Sequence, residues 1–350
     1  MKTRKKVVIS QKKLVQTALM FISLLLITIT AWISEPLLIK SPTSQSSGEV
    51  AQLLSNQTGD NLAAAYISGI LNAKKSILLM IFSLTDTRII HALRQKSDEG
   101  ILVNVICDAK ASPNILQKLG TKVNVVRRFA KGLMHLKILA IDDEQCWIGS
   151  ANLTGESLNM HGNLVVALAH TSLAETLAKK AATLQEYDRN GEVLHQEFLV
   201  GEQRVELSFL PDDKKGCQRI KQLINSAQKT VKVAMFTWTR YDLAQALIAA
   251  KKRGVRVEVV LDNSSAKGAS AKIAALLKKE GIPLTFSKGP ALLHHKFMLI
   301  DDNILEIGSA NWTKAAFSQN DDCFLIIHTL TDAQRQHMQK LWRAIQSDSG

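Results

Sequence analysis

The second half of this chain repeats the first at a fixed spacing. Phe82 and Phe236, Thr85 and Thr239, Gly100 and Gly254, and Asp108 and Asp262 all share one offset in residue number. The text between them repeats in kind. Residues 76–85 read as a buried strand, 90–96 as a helix with its stop at Gly100, and 101–107 as a second strand ending on Asp108. Residues 231–239, 246–252, Gly254 and 255–261 repeat that order up to Asp262. Such a chain has to build one β-α-β unit twice. The expected fold is therefore α/β, two pseudo-twofold-related lobes, each a largely parallel or mixed sheet flanked by helices. At 350 residues each lobe is long enough to bury its own core.

A second repeat carries chemistry. His135-Leu136-Lys137, with Asp142 after four intervening residues, recurs as His294-His295-Lys296 with Asp301. The offset between these copies is longer by five, which predicts a net insertion between Asp262 and His294, expected in a loop. Each copy runs into a small-residue turn, Gly149-Ser150-Ala151-Asn152-Leu153-Thr154 and Gly308-Ser309-Ala310-Asn311-Trp312-Thr313. The apolar runs 136–141 and 297–300 read as central strands. Side chains two apart on a strand share a face, so each His points with its Lys. Two imidazoles beside two ammoniums suit a phosphodiester. One His can attack phosphorus, the other can protonate the leaving oxygen, and the lysines can neutralise the phosphate. A lone HxK means little; two copies, each followed by the same turn, are specific.

The bulk numbers set limits. At 46% hydrophobic and 21% charged, the chain is not a disordered one. Of the net charge of +13, Lys2, Arg4, Lys5, Lys6, Lys12 and Lys13 supply six, and the remaining +7 suits an anionic ligand without demanding nucleic acid. Cys107, Cys146, Cys217 and Cys323 are scattered, so neither a zinc site nor a disulfide framework is indicated. Residues 14–34 carry no charge and can span about 30 Å as a helix. The basic stretch 1–13 before them predicts a cytoplasmic N-terminus, a single transmembrane anchor and an exported body, periplasmic or extracellular in a bacterium. Cleavage near Ala31 would instead give a secreted protein. Residues 35–59 read as a tether, 60–200 as the first lobe and 201–350 as the second.

The paired HxKxxxxD motifs, each followed by GSAN at the same distance from the Asp, resemble the HKD motifs of the phospholipase D superfamily over roughly residues 60–348. The resemblance implies two lobes closing one site, a covalent phosphohistidine intermediate, and no metal or other cofactor. It implies a catalytic set of His135, Lys137, Asp142, His294, Lys296 and Asp301, with the two Asp orienting strands rather than touching substrate. Lys137, Lys296, Asn152 and Asn311 would hold the phosphate oxygens, assisted by Ser150 and Ser309. Family members often carry an acid that orients the motif His; the matching positions, equally far past each His, are Asn163 and Asp322. Pairing within each lobe would make His294 the more basic imidazole, while family precedent favours the first-lobe His as nucleophile. That assignment stays open.

His161 and His295 read as solvated or packed. Phe236, Trp238 and Trp312 read as core, and Lys251, Lys252 and Arg253 as complements of a helix end. The expected activity is metal-independent hydrolysis of phospholipid head groups by a monomer at a phospholipid membrane, with no obligate protein partner. The alternatives are a nuclease acting on DNA or RNA, a phosphatidyltransferase using an alcohol in place of water, and a non-catalytic phosphate-binding scaffold.

Overall fold

The computed structural model describes residues 50–349. The first lobe is a seven-stranded mixed sheet of β1 (Gln52–Ser55), β2 (Ser76–Ile81), β3 (Leu102–Asp108), β4 (Asn124–Arg128), β5 (Lys137–Ile141), β6 (Gln145–Gly149) and β7 (Leu164–Ala169). Their spatial order is β1-β7-β6-β5-β2-β3-β4. The second lobe contains β8 (His195–Val200), β9 (Gln203–Leu210), β10 (Thr230–Met235), β11 (Arg256–Leu261), β12 (Leu284–Phe286), β13 (Lys296–Ile300), β14 (Ile304–Gly308) and β15 (Asp322–Ile327). Read from the other edge, the order β9-β15-β14-β13-β10-β11-β12 repeats the first sheet strand for strand, and β8 is an addition beyond β9. The register repeats too, with Ile81 opposite Lys137 and Met235 opposite Lys296.

The parallel strands alternate between two cores. Ile77, Leu79 and Ile81 face helices on the outside, and Met80 faces the other sheet. Met80, Leu136 and Ile138 from one lobe and Ala234, Phe297 and Leu299 from the other share a single apolar layer, so the lobes are joined by core rather than by a hinge. Gly149 and Gly308 are required where neighbouring strands come close. A Cβ there would lie 2.4 Å from the Leu164 carbonyl oxygen and 2.2 Å from that of Cys323.

The structure revises several expectations. β1 falls inside the stretch read as tether, with Ala51, Leu53 and Ser55 buried. β8 pairs with β9, so the second lobe begins before residue 201. The insertion after Asp262 is helical rather than a loop: Asn263–Lys267 and Ala271–Lys279 stand where the first lobe has only Ile115–Leu119. The final helix, Asp332–Ser347, is not an outer cover. Its Met338, Leu341, Trp342 and Ile345 recur at helical spacing and enter the core shared by both sheets. The apolar run 14–34 lies outside the described residues, among which no helix is long and apolar enough to cross a membrane.

Candidate active site

Both HxK motifs lie at the starts of β5 and β13, the central strands. His135 and His294 are each 6% exposed, and Lys137 and Lys296 are each 1% exposed. The loop that delivers each His is held by an acid at the end of a strand one place removed, Asp108 closing β3 and Asp262 following β11. Asp108 accepts from Met134 N at 3.2 Å, and Asp262 from Leu293 N at 3.0 Å. Each loop is also stitched to the opposite lobe: His135 N donates to Asp321 O at 2.8 Å, and Gly162 N donates to Leu292 O at 2.8 Å. Arg128 anchors the first of these crossings through the Asp321 carboxylate at 2.6 Å, and Arg189 pairs with Asp321 and Asp212.

The imidazole partners cross between lobes as well. His135 Nδ1 lies 2.8 Å from Asp322 Oδ1, and His294 Nδ1 lies 3.0 Å from Asn163 Oδ1. This corrects the pairing within lobes expected from sequence. The acid that follows one motif His in the chain reaches the other because Asp322 opens β15 beside the crossing loop of the first lobe. The amide of Asn163 is fixed by donation to Ser157 O and His161 O, so its oxygen accepts from His294 Nδ1–H. These contacts favour hydrogen on Nδ1 of both rings and leave Nε2 as the ring nitrogen without a partner among the described residues.

Ser150 and Ser309 are fully buried and support these partners instead of facing a ligand. Ser150 donates to Asn163 at 2.8 Å, and Ser309 to Asp322 at 2.7 Å. Asn311 accepts from Thr237 N through its side-chain oxygen at 3.1 Å, which leaves its NH2 to present; the Asn152 side-chain oxygen is buried without a hydrogen-bond partner among the described residues. Asp142 and Asp301 are not part of the cleft. Each sits past the far end of its strand and caps a turn. Asp142 accepts from the backbone nitrogens of Lys74, Lys75 and Ser76, and Asp301 from those of Gln228, Lys229 and Thr230. Both adopt positive φ, 55° and 51°.

Burial dominates the electrostatics. It pulls Lys137 down to about 7, against the pull of Asp322. It also takes Lys296 well below the usual ammonium range, with Lys137 adding to the effect. His135 is lowered by burial and then by Lys137, with Asp322 opposing. His294 lies further down, through burial, Lys296, Lys137 and His135, and has no carboxylate to offset them. Burial alone would raise Asp322, yet His135, Lys137 and Ser309 hold it ionised. Four mutually repelling basic groups gathered in a buried cleft resist protonation together, and an anion placed among them would offset that repulsion.

Phe82 stands in the sequence only as a mark of the repeat, and Phe236 reads there as core. The structure sets both against the imidazoles: Phe82 meets His135 edge-on and Phe236 meets His294 at a tilt, each at 5.1 Å between centroids, with Lys137 and Lys296 over the same rings at 5.2 and 4.9 Å. Their place in the repeat was the available signal. Trp238 and Trp312 are core, packed edge to face at 4.6 Å. His295 turns from the cleft to Gln57 Oε1 at 2.6 Å. Among the described residues, the side chains grouped closely enough to ligate a metal are His195, Glu197 and Glu206 on the β8–β9 hairpin. There Glu206 is already engaged by Arg219 at 2.7 Å and His328 at 2.6 Å.

Comparison with known proteins agrees with this geometry. The family described as "Cardiolipin synthase, PLD-like domain" matches residues 66–185 and 220–345, one copy on each lobe. The chain belongs to the phospholipase D superfamily. Among its relatives, a mitochondrial cardiolipin hydrolase of Xenopus tropicalis is 29% identical over 136 residues, 38% of this chain and 64% of that protein. The chain thus spans somewhat under two thirds of that relative's length. Cardiolipin synthase B of Salmonella typhi is 24% identical over 329 residues, covering 81% of this chain and 78% of its own. Phosphatidylserine synthase of Haemophilus influenzae shares the fold at a TM-score of 0.69, with 15% identity over 86% of this chain and 87% of that one. In this superfamily member the duplicated motif is complete in both lobes, and the two imidazoles differ in what holds them, a carboxylate for His135 and an amide for His294.

Proposed function

We propose that the protein is a phospholipase D-type phosphodiesterase acting on phospholipid head groups through a phosphohistidine, with His135 as nucleophile and His294 as general acid. The observation that carries this reading is the His135–Asp322 contact. Attack by His135 Nε2 on phosphorus places positive charge on the ring, and only this ring has a carboxylate against Nδ1 to stabilise it. His294, held by a neutral amide among cations, parts readily with the proton that the departing oxygen needs. As the P–N bond forms, the P–O bond to the leaving alcohol breaks and His294 Nε2–H supplies its proton. Water then attacks the phosphohistidine, gives a proton back to His294, and frees His135. Lys137, Lys296 and Asn311 would hold the non-bridging oxygens, and no step calls for a metal ion. The uncharged run 14–34 is read as a membrane anchor that keeps the site near its substrate.

A second reading, transfer of the phosphatidyl group to an alcohol, is supported by the likeness to a cardiolipin synthase over 81% of this chain. It differs only in which hydroxyl attacks the intermediate. The test is one product assay on the full chain in vesicles of phosphatidylglycerol or cardiolipin, run with and without added glycerol, with single-stranded DNA and RNA in parallel. Phosphatidic acid plus free alcohol supports hydrolysis, and cardiolipin made from phosphatidylglycerol supports transfer. Cleaved nucleic acid with untouched lipid would overturn the lipid reading.

A further inference from the structure

The helix Thr171–Thr183 of the first lobe and the final helix, Asp332–Ser347, each follow the last strand of their repeat. Counted from the capping residues His170 and Thr331, their buried positions coincide: Leu173 with Gln334, Leu177 with Met338, Lys180 with Leu341, and Leu184 with Ile345. One position breaks the match. Where the final helix buries Trp342, the first-lobe helix has Ala181. The socket around that indole is nonetheless repeated. Trp342 Nε1 donates to Glu258 Oε2 at 3.2 Å, and Gln346 donates to the same oxygen at 3.1 Å. Asn104 stands where Glu258 does, opposite Leu78 on β2 as Glu258 is opposite Lys232 on β10, and Gln185 stands where Gln346 does. In place of the ring is a cavity of about 370 Å³, lined by Leu78, Asn104, Val126, Ala140, Ala181 and Gln185 among others. Leu78, Val126 and Ala181 are left half-buried at the edge of the shared core, and Leu102 at the rim is 53% exposed.

We propose that this cavity binds a small planar aromatic molecule bearing a ring N–H, of the indole class, which the first lobe takes from solution where the second lobe supplies the ring itself. Its volume is that of a small-molecule site. Ala178, Ala181 and Ala182 keep the helix side free of bulk, and Leu78, Ile106 and Ala140 make the sheet side apolar. Asn104 Oδ1 accepts from Asn124 Nδ2 at 3.1 Å, and a carbonyl oxygen with two lone pairs keeps one for the ring N–H. Among the described residues of the lining the charged one is Asp143, so a phosphate or carboxylate is disfavoured. Ser76 and Leu102, which open β2 and β3, belong to the lining, so the cavity lies at the ends of these strands remote from Phe82 and Asp108. The site is therefore separate from the catalytic cleft and does not depend on the reading of it.

The experiment titrates the full chain with indole and with 1-methylindole, which keeps the ring and lacks the N–H. Binding is read by ligand-observed NMR on wild type, Ala181→Trp and Asn104→Leu, with a melting curve for each. Wild type should bind indole with a Kd below about 1 mM, and 1-methylindole about 3- to 10-fold more weakly, the size of one neutral hydrogen bond. Ala181→Trp, which installs the second lobe's residue, should weaken indole binding at least about tenfold and melt no lower than wild type. Asn104→Leu should bind the two probes equally, which keeps the proposal testable if Ala181→Trp fails to fold. Wild type without saturable indole binding, or indole binding that folded Ala181→Trp leaves unchanged, overturns the site. Equal affinity of wild type for the two probes, or a preference for indole that survives Asn104→Leu, overturns the assigned ligand class.

Discussion

Replacing Asp322 by Asn removes one charge and almost nothing else. The new amide oxygen can keep the bonds from His135 Nδ1 and Ser309 Oγ, now at 2.8 and 2.7 Å, so ring orientation and tautomer survive. Its NH2 would face the Asn320 NH2 where Oδ2 now accepts at 3.3 Å, a local cost of about 1 kcal/mol. What is lost is attraction between a carboxylate and the cation that forms as His135 attacks. With charge centres about 4 Å apart and an effective dielectric near 20, that is at most ~4 kcal/mol. Ion pairs of this kind shift a pKa by about 1–3 units, at ~1.4 kcal/mol each. Asp322→Asn should therefore slow phosphorylation of His135 by about 10- to 1,000-fold. The assay is single-turnover release of nitrophenolate from a nitrophenyl phosphodiester, which needs little help from the acid, with a melting curve to show that the fold is retained. A slowing of less than threefold in folded protein would refute the claim that Asp322 stabilises the reacting imidazole.

Four further outcomes are expected. Because His135 and His294 are both lowered and Lys137 titrates at about 7, kcat/KM should peak below pH 6.5 and fall as pH rises through 7; a rate still rising at pH 8 would contradict the electrostatics described above. Asp142→Ala should leave turnover per folded molecule near wild type but lower the melting temperature by a few degrees, because three backbone nitrogens lose their acceptor. Glu306 is buried without a partner for Oε2, and burial raises it to about 8. The unfolded chain ionises it near 4.3, so stability is lost as pH rises between about 4.3 and 8, and urea melts of Glu306→Gln should lack that loss. Activity should persist in EDTA, and complete loss restored by divalent ions would exclude the histidine mechanism.

Much of this was legible in the sequence because duplication converts spacing into geometry. The constant offsets located equivalent strands and both His/Lys pairs, and two-residue spacing put each pair on one face of a strand. Partnership across lobes was not legible. Asn163 and Asp322 follow their motifs at equal distances, and nothing local reveals that β7 and β15 deliver each to the opposite imidazole. The same applies to Ser150 and Ser309, whose short side chains suit either a ligand or a buried support until the strand crossing beside Gly149 and Gly308 is seen. Asp142 and Asp301 belong to the motif by proximity in sequence, but the intervening strand carries each to the far end of the sheet. β1 was hidden because Gln52–Ser55 is too short for periodicity to register against a polar neighbourhood.

The central claim is that the cross-lobe carboxylate makes His135 the nucleophile. Quenching wild-type protein into alkaline denaturant during turnover of a radiolabelled phosphodiester, which preserves the P–N bond of phosphohistidine, followed by peptide mapping at alkaline pH, tests it directly. The account predicts label on the peptide containing His135, with His294→Ala accumulating it when the leaving group is nitrophenol and His135→Ala carrying none. Label on His294 would contradict the assignment, and full activity in either single His variant would contradict a shared site.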